Sequence, residues 1–432
     1  MDWLTAPSKG VGGSPQLPGD KSISHRALMF NALGKGKAVV KGLLDGEDCR
    51  ATANALRAMG VTVEESAGEH CIYGVGLHGL RKPDAALDFG NSGTAMRLMA
   101  GVLAAQSFAS ELRGDSSLSR RPMARIIRPL TAMGAQFKAK GNRPPLKITP
   151  VEKLFAVRYG MPVASAQVKS AILLAALYTE GLTEISQPAV TRDHSERLLS
   201  AMGADLETED LLVRLRPGQS LQAVDIDVPA DLSSAAFLIV AACLMASEPC
   251  VFEGVGVNPT RCGVLTILES MGANIRLENQ RQIGGEPVAD IHVSRSALKA
   301  IEVPQSAVPL AIDEFPVLFV AAAAAAGTTV FTGIEELRHK ESDRITTMIN
   351  GLREMGVRCE ESEDSASITG GGMGAATVES CEDHRISMAF AVAGLIADGP
   401  LRIRGVDNVA TSFPGFSSLA TSFGFELEEV SD

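Results

Sequence analysis

Two kinds of helical pattern alternate along this chain. One kind is apolar on nearly every face: SAQVKSAILLAALYTEG (165–181) and DEFPVLFVAAAAAAG (313–327) have no polar stripe, so burial is expected. Six such runs begin near Ser22, Asn91, Ser165, Ser233, Asp313 and Asp383. Each opens on Ser, Asn or Asp, whose side-chain oxygens accept from the free N–H groups of a helix start. The other kind is amphipathic and ends on Leu-x-x-Met-Gly, at Leu56–Gly60, Leu130–Gly134, Leu199–Gly203, Leu268–Gly272 and Leu352–Gly356. A weaker sixth copy, Ala420–Gly424, carries Phe423 in place of Met. The closing Gly suits the left-handed position just past a helix. After it comes an alternating segment such as VTVEE, AQFKAK, ANIRLEN or FELEEV, which predicts a strand.

The copies recur about every 70 residues, so the chain reads as six βα-rich units of one size. A linear solenoid is the alternative, but its units are shorter, about 20 to 50 residues. Larger units can close three at a time, which predicts two similar α/β domains. One spans 18–227. The other combines 1–17 with 228–432, so that the chain crosses between domains twice.

Composition narrows the class. A 432-residue chain with 45% hydrophobic and 21% charged residues is globular and too long for one ordinary core. The formal net charge of -11 opposes a broad nucleic-acid surface, so any anion site must be a local basic pocket. Seven cysteines without a CxxC pair or Cys/His cluster predict free buried thiols in a reducing cytoplasm, with neither disulfide framework nor zinc site. The N-terminus lacks a signal pattern, and the longest apolar run, 315–326, is too short to span a bilayer.

The chemistry gathers where an apolar helix needs it least, at its first turn. LPGDKSISHRALMFNAL places Lys21, Ser22, His25 and Arg26 at a helix start, where the dipole disfavours cations but N–H groups and cations together suit an anion. DFGNSGTAMRL offers Gly90, Asn91, Gly93 and Thr94, letting backbone approach a ligand closely. Arg113, Arg120, Arg121, Arg125 and Arg128 follow; Arg121, extended ahead of Pro122, is the member best placed to face a ligand. The third run opens with Ser165, Ala166, Gln167 and Lys169, and capping accounts for Ser165 but not for Gln167. AIDEFPVL brings Asp313 and Glu314, either dipole-favoured acids or a general base at a cleft. ELRHKESDRITTM is the densest cluster, with Lys340 and Arg344 expected on one helical face beside Glu341, and EDHRIS adds His384 and Arg385.

Taken in order, LPGDKSISHR, GNSGTAMR, SRRPM, SAQVKSA, AIDEFP, LRHKESDR and EDHRIS resemble the 5-enolpyruvylshikimate-3-phosphate synthases of the enolpyruvyl transferase family, over about Leu17 to Pro414. The forms DKSISHR, NPTR and QVKSA are more similar to class II than to class I members. The resemblance implies an inside-out α/β barrel fold: two three-unit domains on a double hinge that closes around the substrates. It also implies transfer of the enolpyruvyl group of phosphoenolpyruvate to the 5-hydroxyl of shikimate 3-phosphate, with release of phosphate. No metal or organic cofactor is required, and the partners are these two small polyanions, with no nucleic acid and no membrane. A cytoplasmic monomer is expected.

By the same resemblance, Lys21, Ser22, Arg26, Ser165, Gln167, Arg192, Asp313 and Lys340 contact shikimate 3-phosphate. Phosphoenolpyruvate falls to Lys21, Gly93, Arg121, Gln167, Arg344 and Arg385, where the planar Arg fork grips carboxylate or phosphate in two places. Asp313 is the candidate general base, and Glu341 and Lys21 are candidates for protonating the methylene carbon. Surrounding cations are expected to keep Asp313 ionised while a less solvated Glu341 holds a proton. Three positions depart from class I: Ala166 for a second Ser, Glu336 for an Asn, and Thr411 for a Lys, a loss expected to weaken phosphoenolpyruvate binding unless another cation, with Arg338 and His339 as candidates, compensates. Gly93 leaves room for glyphosate, the family's inhibitor competitive with phosphoenolpyruvate.

Three rival readings are weaker. Transfer to a UDP-sugar would read Lys-Asn at Lys21-Ser22 and place a Cys within Leu112–Arg125, where this chain has none. An RNA 3′-phosphate cyclase is opposed by the acidic charge, and a non-catalytic polyanion binder by the joint presence of Asp313 and Glu341.

Overall fold

The full repeat folds as a strand, a buried helix, a second strand, an amphipathic helix and two further strands; the first repeat takes its parallel strand from Ile226–Asp227, which pairs with Lys35–Lys41. A computed structural model describes residues 1–66 and 68–431. The helices come in pairs: α1 (Lys21–Leu33) and α2 (Glu47–Ala58), then α3 (Gly93–Leu103) and α4 (Ala124–Ala132), then α5 (Ala166–Ala176) and α6 (His194–Ala201). They continue with α7 (Leu232–Met245) and α8 (Gly263–Ser270), a single turn α9 (Val308–Ala311), α10 (Phe315–Ala324) and α11 (Arg344–Glu354), and finally α12 (His384–Gly394) and α13 (Phe416–Phe423). The first member of each pair is the apolar one. Residues 232–243 of α7 are buried without exception, as are 315–323 of α10.

Sheet topology repeats with the helices. In the second repeat Leu87–Asp88 pairs parallel to Ser110–Arg113 across α3, and Leu146–Thr149 then joins antiparallel, with Gln136–Lys138 outermost. The parallel–antiparallel–antiparallel order recurs in four sheets. In the fourth and fifth repeats the parallel strand shrinks to isolated bridges, Ala230 to Val255 and Glu302 to Val330, leaving three-stranded sheets. The sixth repeat lacks a last strand of its own. Asp2–Ala6 from the start of the chain fills that place, between Leu401–Arg404 and Glu426–Val430.

Contacts divide the chain into two units, each with its own apolar core. The N-terminal unit is Gly19–Val228 with Ile283–Glu286; the C-terminal unit is Met1–Pro18, Pro229–Gln282 and Pro287–Asp432. The four residues 283–286 are the tip of the hairpin formed by Asn274–Ile283 and Glu286–Ser294. All seven cysteines are free; four are buried, Cys71 and Cys262 are half-buried, and Cys381 is exposed, because it lies in the turn before α12 and not in a core.

The Met-Gly endings acted as expected, but of the helix starts only Ser165 and Asp383 cap as named; Asp20, Ser92 and Asp231 cap in place of Ser22, Asn91 and Ser233. Gly60, Gly134, Gly203, Gly272, Gly356 and Gly424 all have φ between 85° and 113°, the left-handed region that ends a helix. Side-chain caps come from Asp20, Ser92, Ser165, Asp231 and Asp383. At the fifth helix Asp313 caps nothing: α10 begins at Phe315 after Glu314, with no side-chain cap bond. Pro316 explains the omission in part, since it brings no N–H to the first turn. Asp313 is thereby left in the turn between α9 and α10.

Ala- and Gly-rich faces let the buried helices approach to backbone distance. A Cβ built on Gly101 of α3 would lie 2.2 Å from the carbonyl oxygen of Ala171 on α5. Gly101→Ala is therefore expected to destabilise the N-terminal unit by about 1–3 kcal/mol, read as a lower urea midpoint. Gly371→Ala, with nothing within 4 Å of the added carbon, is the control and should move the midpoint little.

Candidate active site

Three helix starts of the N-terminal unit carry its candidate residues. On α1 the Asp20 carboxylate caps the Ile23 N–H at 2.8 Å, and Lys21 forms an ion pair with Asp48 of α2. Arg26 lies inward at 3% exposure, donating to Ser195 Oγ at 2.8 Å, Ser22 O at 2.9 Å and Ser170 Oγ at 3.0 Å. Burial lowers its pKa to about 10, partly resisted by Glu196; Arg192 is near enough to lower it further. The neighbouring His25 is driven well below the usual 6.5 by burial, then by Lys21 and Arg26. Its neutral ring bridges Thr52 Oγ1 at 2.8 Å and Ser92 Oγ at 3.3 Å, tying α1 to α2 and to the cap of α3.

Gln167 joins the other two starts. Its Nε2 donates to Thr94 Oγ1 at 2.9 Å, and its Oε1 accepts from Arg97 Nη1 at 2.6 Å. A Cβ on Gly93 would lie 3.0 Å from Arg97 Nη1 and 3.2 Å from Arg121 Nη1, so two guanidinium groups converge on the one residue without a side chain. Arg121 is extended, as its place before Pro122 requires, and donates to Asn91 Oδ1 at 2.5 Å. Gly93, Arg121 and Gln167 thus lie together, and Arg97 with them. Ser165 accepts from Val168 N at 3.4 Å at the cap of α5.

In the C-terminal unit one cation organises the rest. Arg344, the first residue of α11, is 1% exposed and meets three carboxylates: Asp313 Oδ1 at 3.5 Å, Glu341 Oε2 at 2.6 Å and Asp383 Oδ2 at 2.8 Å. Burial alone would lower its pKa; Asp383, Glu341 and Asp313 outweigh that and hold it well above the usual range. Burial likewise works to raise Asp383, but Arg344 leaves it below an ordinary carboxylate. Lys340 Nζ donates to Asp313 Oδ1 at 3.1 Å, and Arg385 Nη1 to the Asp313 carbonyl at 2.9 Å.

Three expectations change at this cluster. Lys340 and Arg344 do not share a helical face, because Glu335–His339 is a 3₁₀ turn and α11 starts only at Arg344; they converge through Asp313 instead. Glu341 is not the less solvated acid: its side chain is 24% exposed against 20% for Asp313, and it is ion-paired. The desolvated carboxylate is Asp383. Arg338 cannot replace a charge at Thr411, since it is committed to Asp343 at 2.7 Å, Glu361 at 3.0 Å and the Glu363 carbonyl at 2.8 Å. Thr411 itself is buried and donates to Asn408 O at 2.7 Å.

Residues 5–419 match the family described as EPSP synthase (3-phosphoshikimate 1-carboxyvinyltransferase). The chain belongs to the EPSP synthase family. It is 51% identical over 428 residues to a protein of Xanthomonas oryzae pv. oryzae (strain PXO99A) named 3-phosphoshikimate 1-carboxyvinyltransferase, covering 99% of this chain and 97% of that protein. A protein of the same name from Xanthomonas axonopodis pv. citri (strain 306) is 50% identical with the same coverage. An EPSP synthase structure from Acinetobacter baumannii matches with a TM-score of 0.88 at 48% identity, over 99% of this chain and 100% of that chain.

Within this EPSP synthase fold several polar contacts lay outside the roles that the sequence suggested. Arg97 had a signal, one turn beyond Gly93 in GNSGTAMR. Asp48 and Asp383 had only their chemistry, since a cation at a buried helix start needs a counter-charge. Lys169, named at the start of α5, is 1% exposed and paired with Glu196 at 2.5 Å, so it is turned inward to α6. Among the described residues no group of His, Cys, Asp and Glu is arranged to hold a metal, and no helix is long and apolar enough to cross a membrane.

The neutral His25 gives a pH dependence of known sign. Its folded pKa lies below 6.5, so as pH falls through 6.5 the unfolded chain takes up the proton first and stability is lost. His25→Gln forfeits hydrogen bonds but does not titrate. The stability gap between wild type and variant should therefore narrow by about 1.4 kcal/mol per pH unit below 6.5. Denaturant titrations between pH 7.5 and roughly 5.5 check this; a gap independent of pH contradicts it.

Proposed function

We propose that the chain is a 3-phosphoshikimate 1-carboxyvinyltransferase, moving the enolpyruvyl group of phosphoenolpyruvate onto the 5-hydroxyl of shikimate 3-phosphate. The observation that carries this reading is the Arg344 cluster. It sets the candidate base Asp313 and the candidate acid Glu341 on one guanidinium, in a chain of the EPSP synthase family. Asp313 Oδ1 accepts the hydroxyl proton as the oxygen bonds to C2 of phosphoenolpyruvate. The methylene carbon takes a proton from Lys21, or from Glu341 once Glu341 has taken up a proton against its pairing with Arg344, giving a tetrahedral intermediate. Loss of a methyl proton then expels phosphate and restores the double bond.

Binding follows the cations. The reading gives phosphoenolpyruvate to Lys21, Gly93, Arg121, Gln167, Arg344 and Arg385, with Arg97 supporting through Gln167. Shikimate 3-phosphate falls to Lys21, Ser22, Arg26, Ser165, Gln167, Arg192, Asp313 and Lys340. One chain supplies every candidate, which supports a monomer as the working form, and seven free thiols suit a reducing cytoplasm.

Phosphate release tests the reading. Wild type should release phosphate only when both substrates are present, and Asp313→Ala should lower kcat about 10²- to 10⁴-fold. Release without the shikimate ester, or full activity in the variant, would sink the mechanism. Gly93→Ala should raise KM for phosphoenolpyruvate more than for shikimate 3-phosphate, because the added carbon displaces Arg97 and Arg121. Glyphosate should compete with phosphoenolpyruvate in the wild type and more weakly in this variant.

A further inference from the structure

Glu314 is a buried carboxylate to which the mechanism gives no part. It follows Asp313, precedes α10 and is 1% exposed. Its Oε1 accepts from Ser233 Oγ and lies 3.6 Å from Arg385 Nη1. Behind Ser233 stands Arg261, which is 2% exposed and donates through Nη2 to Ser233 Oγ and to Asp231 Oδ1, both at 2.7 Å. Glu314 is thus linked to two buried guanidinium groups, directly to Arg385 and through Ser233 to Arg261. Arg261 is held down by burial, while Glu314 supports its charge and Arg385 opposes it, so all three sense one another.

We infer that Glu314 is a positioning residue for Arg385, and through it for the phosphoenolpyruvate anion. The geometry is directional. Nη1 of Arg385 is turned towards Glu314 and the Asp313 carbonyl at 2.9 Å, which fixes that edge of the planar fork against the protein. The orientation of the opposite edge follows, because a guanidinium rotates as one plate. The Asp313 carbonyl belongs to the candidate base, so the same contacts tie the position of Arg385 to that of Asp313. A counter-ion placed only to neutralise charge would not need to share an edge with that carbonyl.

The inference rests on the assignment of Arg385 to phosphoenolpyruvate, and the test separates the two. Glu314→Gln keeps an oxygen for Ser233 and removes the charge. It should raise KM for phosphoenolpyruvate about tenfold, one unit of the logarithmic scale on which such contacts are read. KM for shikimate 3-phosphate should stay within about twofold. Glu314→Asp, which keeps the charge, should restore part of the loss. In an Arg385→Lys background Glu314→Gln should add little, since the two act as one unit. An unchanged or lowered KM for phosphoenolpyruvate in Glu314→Gln overturns the inference; so does an equal rise in both KM values, which marks a general loss of structure. If Arg385→Lys alone leaves KM for phosphoenolpyruvate unchanged, the assignment of Arg385 has failed instead.

Discussion

The C-terminal unit depends on one interaction, the buried guanidinium of Arg344 shared among Asp313, Glu341 and Asp383. A cation at a helix start is opposed by the helix dipole, and burial adds several kcal/mol of desolvation. Only an arrangement with excess negative charge nearby is stable there. Those carboxylates come from three places: the turn before α10, the segment before α11 and the cap of α12. Asp383 caps α12 through Arg385 N at 3.0 Å while accepting from Arg344, so helix start and ion pair constrain each other. Removing one carboxylate leaves a buried charge only partly balanced, which costs more than the pair contributes.

The N-terminal unit solves the same problem with more hydroxyls and fewer acids. Arg26 spends its donors on Ser195, Ser170 and a backbone carbonyl, and Lys21 is matched by Asp48. The neutral His25 lets the starts of α1 and α3 meet the middle of α2 without adding a third positive charge. Serines are useful in such a place because a hydroxyl both accepts and donates, so Ser170 and Ser195 can bond each other at 2.6 Å as well as the guanidinium.

What the sequence made legible was local. Apolar runs and the Met-Gly endings each depend on neighbours within a turn or two, so period and residue type suffice to place them; caps were found only to within a residue or two, because a run such as DKS or NS offers more than one capping side chain. The shared order of strands across the six sheets follows from the repeat. Partnerships across the fold were not legible. Nothing between Asp48 and Lys21, or between Asp383 and Arg344, marks them as pairs, because separations of 27 and 39 residues are closed by tertiary packing alone. The Lys340–Arg344 spacing misled for a related reason. An i,i+4 rule holds only inside a helix, and Asp343 caps α11 after Lys340 has already passed.

An acidic chain can handle polyanions because its useful cations are already desolvated. Arg26, Arg97, Arg121, Arg344 and Arg385 are each 9% exposed or less, and most are already held by an oxygen of the protein. On the proposed reading, a substrate phosphate or carboxylate replaces one of those oxygens rather than a shell of water. The cost of drying the guanidinium falls on folding, and binding exchanges a protein oxygen, neutral at Arg26, Arg97, Arg121 and Arg385 and a carboxylate at Arg344, for an anion in a site of fixed geometry. Affinity then depends on the difference between the bond to the substrate anion and the bond to the oxygen it replaces, not on the full strength of the first. Such a site discriminates by charge and shape, because a neutral ligand gains little over the hydroxyl, amide or carbonyl oxygen already there.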